Sequence, residues 1–199
     1  MSKIRESDMP GKSLWHTFFD AETVLTKLGL NKNVGDAVDF GCGYGTFSLF
    51  AASLISGTLH GFDIEPAMIA ECECRAANER VHNVRFHLRD LIVDGTGLDG
   101  ESVDYVMMFN ILHTEEPLIL LCEAWRVLRD GGRLAITHWN YDPKTPRGPS
   151  MGIRPRPEQS RFWAEEAGFI CETEYEIDLP PHHYGWLLCK SSNEVTCRL

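Results

Sequence analysis

The segment 37–50, AVDFGCGYGTFSLF, sets Gly41, Gly43 and Gly45 at alternate positions between two apolar runs. A chain built this way must turn tightly there. Glycine accepts a left-handed backbone at little cost and lets a ligand approach the main chain with no Cβ in the way. DAVDF before the glycines reads as a short buried strand, and GTFSLFAASLI after them reads as a helix. A dinucleotide fingerprint needs its third glycine three residues after the second, but position 46 is Thr46. The turn therefore suits a dinucleotide imperfectly.

The same strand–helix alternation continues downstream. GTLHGFDI is a second strand ending in an acid, and Pro66 opens the next helix, where its missing N–H costs nothing. VRFHLRD, SVDYVMMFNIL and RLAITHW read as strands three to five, with the helix PLILLCEAWRVL and the turn RDGG between the last two. Such alternation predicts a parallel sheet with helices on both faces, an α/β fold. Toward the end, PEQSRFWAEEAGF is a helix, and ICETEYEIDL and YGWLLCK are two strands expected to pair antiparallel at a sheet edge. One domain spans residues 1–199.

Composition excludes some partners. A formal charge of −10 argues against a broad nucleic-acid or anionic-membrane footprint. The N-terminal residues are polar, without the apolar core of a secretory signal, and no apolar stretch reaches membrane-spanning length. The seven cysteines lack framework spacing, which predicts reduced thiols and a cytoplasmic location. No metal site is expected.

In an open parallel sheet the ligand crevice lies beyond the carboxyl ends of the strands. Asp63, Asp90 and Asn110 converge there with the glycine turn. An acid after strand two can accept both ribose hydroxyls, and Asp90 can accept from an exocyclic amine such as adenine N6. Asp39 and Asp90 would be unwelcome beside a pyrophosphate. These acids select an adenosine-like ligand without phosphate, preferably a cation.

VDFGCGYG, GFDIEPAMI, RFHLRDL, DYVMMFNILH and RVLRDGGRLAITHW, in this order, resemble the successive motifs of class I S-adenosylmethionine-dependent methyltransferases. More narrowly, they resemble the small-molecule group (methyltransferase type 11) that includes the ubiquinone/menaquinone C-methyltransferases. The resemblance runs from about residue 35 to 190. It implies a Rossmann-like three-layer sandwich whose seven-stranded, mostly parallel sheet has an antiparallel last strand, with S-adenosyl-L-methionine as cofactor. Gly41, Cys42, Gly43 and Gly45 would line the methionine and ribose portion, and Asp39 would order the loop near the amino end. Asp63 would hold the ribose, with Ile64 against the adenine. Asp90 and Leu91 would meet the adenine edge, and Asn110 would offer its carbonyl to the amino group.

The remaining candidates lie around the crevice. His113 and His138 can each serve as a general base or pack beside the cofactor. Trp15 and Phe19 lie in residues 1–30, which read as a helical lid or as a helix merely packed on the domain. The loop 140–157, with five of the ten prolines, reads as a substrate-side loop. Trp139 and Arg147 are the acceptor contacts expected there, Arg147 as anchor for a carboxylate, and Tyr184 is a further candidate. The expected reaction is methyl transfer to a small-molecule acceptor, anionic or aromatic, mainly by in-line positioning. The alternative is a non-catalytic S-adenosylmethionine-binding module with a protein partner. Acceptor identity, the attacking atom and the oligomeric state are not encoded in any motif found.

Overall fold

A computed structural model of the chain describes residues 11, 15 and 18–191. Expectations for the rest of 1–30 therefore fall largely outside the described residues. The first described element is helix α1 (Ala21–Lys27), started by Asp20, whose carboxylate accepts from the Thr23 backbone N–H and hydroxyl at 3.2 and 2.7 Å.

Strands β1 (Ala37–Phe40), β2 (Leu59–Asp63), β3 (Val84–Leu88), β4 (Val103–Phe109) and β5 (Leu128–Trp139) follow. They are linked through α2 (Thr46–Leu54), α3 (Pro66–Glu79), α4 (Leu91–Asp94) and α5 (Pro117–Val127). The chain then forms α6 (Pro157–Glu166), β6 (Ile170–Cys171), β7 (Ile177–Leu179) and β8 (His183–Cys189). Pro66, Pro117 and Pro157 each open their helix.

The sheet order is β3-β2-β1-β4-β5-β8-β6, with β7 also on β8. The first five strands are parallel, and β8 enters antiparallel beside β5. The chain runs outward from β1 to β2 and β3 on one side and then crosses to β4 and β5 on the other, and this reversal of strand order opens a crevice at the carboxyl end of β1. Alternate residues feed two cores. Val38, Phe40, Met108 and Ile136 pack with α5 and α6, whereas Ala37, Met107 and Ala135 pack with α1 and α2. Three layers result.

The described sheet holds eight strands rather than seven. ICETEYEIDL, expected as one strand, divides into β6 and β7, which meet β8 in succession along one edge. Between them the chain is a polar run without alternation, and Glu172 turns to pair with Arg133 at 2.8 Å. The RDGG turn lies inside β5, because Leu128 already pairs with Val103 before a bulge. Cys42, Cys72, Cys74, Cys171 and Cys189 are free thiols. Trp125 packs edge-on to Phe169 at 5.1 Å, and Asp104 pairs with Arg129 at 2.7 Å, both in structural roles. No described helix is long and apolar enough to cross a membrane.

Candidate functional site

A cavity of about 420 Å³ opens at the carboxyl edge of the sheet, within the range of small-ligand sites. Of the ten expected cofactor residues, Asp39, Gly41, Cys42, Gly43, Asp63, Ile64, Asp90, Leu91 and Asn110 line it. Gly45 does not. It is the left-handed residue that launches α2 (φ 72°), and an added Cβ would stand 3.0 Å from Cys72 Sγ.

The glycine turn is built from its own hydrogen bonds. Gly41 and Cys42 N–H both donate to the Phe62 carbonyl, at 2.9 and 2.8 Å, tying the turn to β2. Gly41 has φ 76°, which favours glycine, and a Cβ there would meet Ile111 Cδ1 at 2.8 Å and displace the end of that side chain. From outside, Cys72 Sγ and Arg75 Nη1 of α3 donate to the carbonyls of Gly43 and Tyr44 at 3.1 and 2.7 Å. These two residues were not identified from the sequence. Nothing local to them signals it, because only the packing of α3 across the turn creates the contacts.

Asp63 Oδ2 accepts from Gly43 N–H and Oδ1 from Glu65 N–H, each at 2.9 Å. Burial raises its pKa, partly offset by these donors. Asp39 is 3 % exposed and accepts from the Ser48 hydroxyl, one helical turn into α2. Burial pushes the Asp39 carboxyl up to about 7; the Ser48 bond opposes this, and the charge of Asp63 adds to it. Burial is thus the leading cause that raises both carboxyls, and the charge of Asp63 adds to the effect on Asp39. Asp90 caps α4, its Oδ1 accepting from Ile92 and Val93 N–H at 3.0 and 3.3 Å. Asn110 sits in a left-handed conformation (φ 56°), with both polar atoms of its side chain buried and unpartnered.

His113 lines the cavity and is 2 % exposed. His138 does not line it. Its Nε2 stands 3.4 Å from His113 Nδ1, and burial, then His113, His183 and Arg154, hold its pKa well below the usual imidazole value. Strand alternation explains its position: Trp139 turns to the cavity and His138 to the opposite face, beside its cross-strand neighbour Tyr184.

Among the expected acceptor contacts, Trp15 and Trp139 line the cavity. Phe47, Phe109 and Pro149 join them, unforeseen from sequence. Phe19 stands behind, with its ring 4.9 Å from Trp15, 5.1 Å from Phe47 and 4.3 Å from His183. Tyr184 also misses the cavity, its hydroxyl lying 3.1 Å from Ser160 Oγ and 3.2 Å from the Pro155 carbonyl. Arg147 is exposed on the loop and is not part of the cavity wall. The buried arginine of this loop is Arg154, whose guanidinium binds the carbonyls of Pro149, Asn140, Asp142 and Arg147 and so shapes the 140–157 segment.

Comparison with known proteins agrees with this architecture. Residues 37–132 match the family described as "Methyltransferase domain". Aklanonic acid methyltransferase DauC of Streptomyces sp. (strain C5) is 30 % identical over 103 residues, 50 % of this chain and 46 % of that protein. The chain thus spans about half the length of this curated relative. A SAM-dependent methyltransferase from Aquifex aeolicus superposes with TM-score 0.78 at 22 % identity, covering 92 % of this chain and 94 % of the other. Geranyl diphosphate C-methyltransferase from Streptomyces coelicolor A3(2) gives 0.69 at 17 % identity, covering 85 % and 74 %. With the glycine turn, the acids at three strand ends and the antiparallel β8 all in place, the chain has the Rossmann-like α/β fold of these methyltransferase structures, and its residues 37–132 match the methyltransferase domain family.

Proposed function

We propose that the chain transfers a methyl group from S-adenosylmethionine to a small planar or apolar acceptor. The observation that carries this reading is the pair Asp39 and Asp63: a buried and a half-buried carboxylate, both with raised pKa, in a cavity whose walls bring no cation against them at hydrogen-bond distance among the described residues. Their chemistry fits a cationic adenosine, and the unpartnered Asn110 amide adds a donor and an acceptor at the same end. The bound cofactor supplies a methyl group activated by a sulfonium.

The protein's own part is then chiefly to bind and align. Asp63 presents carboxylate oxygens for the ribose hydroxyls. Asp90 Oδ1 is engaged in the α4 cap, which fixes the carboxylate and leaves Oδ2 for the adenine amine. Gly41 and Gly43 keep the floor of the site free of side chains.

On the acceptor side, Trp15, Phe47, Phe109 and Trp139 form an aromatic wall. Such a wall excludes water and favours a flat or apolar partner over a strongly anionic one. This supports the aromatic alternative, with Arg147 outside the acceptor site. His113 lies at the edge of this wall, where a general base takes the proton of the attacking group as the methyl is transferred. His138, behind it, is a positioning residue. The described part of the N-terminal segment supports a covering role, because Trp15 lines the cavity and Phe18 packs on Trp139 at 5.4 Å. Two of the three proteins named above carry a small-molecule acceptor in their names, which favours an acceptor of that class here.

The test is incubation with methyl-labelled S-adenosylmethionine and a small-metabolite extract. Label in a low-molecular-weight product is the expected result. Stabilisation by S-adenosylhomocysteine without any transfer would instead favour a cofactor-binding module that works through a protein partner.

A further inference from the structure

Helix α4 carries one wall of the cavity on a single turn. Its cap Asp90 and its residues Leu91 and Ile92 all line the cavity, yet the helix is four residues long. So short a helix does not hold itself, because nearly all its backbone groups lie at an end and need outside partners. Two consecutive side chains supply them. Asp90 accepts from the N–H groups of Ile92 and Val93 at the start of the turn. Arg89 serves the other end: its Nε donates to the Gly95 carbonyl at 2.7 Å and its Nη2 to the Asp94 carbonyl at 3.0 Å.

The rest of Arg89 is fixed as well. Its guanidinium lies against the main chain of Gly97, which has φ 72° and where a Cβ would stand 3.0 Å from Cζ and from both Nη atoms. Its backbone N–H donates to the Asp63 carbonyl at 2.9 Å, which ties it to the strand end that carries the other acid on this side of the cavity. From α5, Glu123 accepts from the Thr96 N–H at 2.7 Å and anchors the segment after α4 to the core. The guanidinium itself lines the cavity edge with its hydrogen bonds committed to carbonyl oxygens.

We propose that Arg89 is a positioning residue for base selection: by clamping the carboxyl end of α4, it holds Asp90 Oδ2 and the Leu91–Ile92 face in the register of an aminopurine. The proposal rests on the cofactor reading above, in which Asp90 accepts from the adenine amine. Hypoxanthine carries a carbonyl oxygen where adenine carries that amine, and against a fixed carboxylate the oxygen finds no proton to share. A loosened turn lets the carboxylate swing aside or admit water, and the two bases then bind more nearly alike.

The test is calorimetric titration of the full chain and of Arg89→Met and Arg89→Lys with S-adenosylhomocysteine and with S-inosylhomocysteine, each protein being checked by urea unfolding. The parent should prefer the adenine compound by about tenfold or more, and Arg89→Met, which keeps the aliphatic stem and loses both donors, by about threefold or less. Arg89→Lys keeps the charge but offers a point donor to two carbonyls, so its preference should fall between. A preference in the variants equal to the parent's overturns the proposal, even if both ligands bind more weakly, because that is the effect of a general loss of structure. Should Arg89→Met fail to fold, the Arg89→Lys ratio decides alone: below the parent's it supports the clamp, equal to it overturns the clamp. A parent that binds both compounds alike overturns the reading of Asp90 and this proposal with it. A parent that binds neither overturns the cofactor reading itself, and the clamp falls with it.

Discussion

Asp39→Asn isolates the electrostatic core of the site. In the ligand-free protein, burial holds the Asp39 pKa at about 7 against an ordinary 3.8. A folded-state pKa above the unfolded one means the folded protein binds the proton more tightly. The associated stability is present in full below about pH 4 and is lost as the pH rises through about 7. The difference corresponds to about 4 kcal/mol at pH 8 as a ceiling. Asparagine keeps the shape and can still accept from Ser48, but it carries no charge. Ligand-free Asp39→Asn should therefore be more stable than the parent at pH 8 by about 1–3 kcal/mol, roughly 2–10 °C in Tm for a domain of this size. Urea unfolding from pH 5 to pH 8 measures this directly: the parent loses stability across the interval and the variant stays nearly flat. Cofactor binding moves the opposite way. The parent must shed a proton to bind a cation below pH 7, so its Kd rises toward tenfold per pH unit there. The variant binds more weakly at pH 8 and loses this dependence. Equal pH slopes for the two proteins would refute the assignment of Asp39 as the strained carboxylate.

Other substitutions probe separate parts of the account. Gly41→Ala places a methyl group 2.8 Å from Ile111 Cδ1 at φ 76°, and should destabilise the chain by about 1–3 kcal/mol; Ile111→Val in the same chain should recover only the steric share of the loss in denaturant unfolding. His113→Ala should lower kcat by about 10²–10⁴-fold without changing cofactor Kd, whereas His138→Gln should alter kcat less and shift the pH–rate profile. Arg147→Ala should leave acceptor KM unchanged, and Trp139→Ala should raise it, in steady-state assays once an acceptor is identified.

Much of the cavity's glycine side was legible because it is local in sequence. Gly41, Gly43 and Asp63 act through backbone turns and strand ends, features that a short motif encodes completely. What lay beyond reach was which face of a strand each residue takes. His138 and Trp139 are neighbours at the end of β5 and point to opposite faces, so one approaches the cavity and the other supports it from behind. Tyr184 follows His138 for the same reason. Arg147 and Arg154 looked alike as loop arginines, but only the folded loop shows Arg154 saturated by carbonyls and Arg147 outside the wall. Cys72 and Arg75 sit in an ordinary helical sequence and gain their role only where α3 crosses the glycine turn.

The most direct test of the central claim, that the acids build a site for a cationic adenosine without phosphate, is isothermal titration of the chain with S-adenosylmethionine and, in parallel, with NAD. One-to-one binding of S-adenosylmethionine with no detectable heat from NAD is the predicted result. Comparable binding of NAD, or none of S-adenosylmethionine, would contradict it.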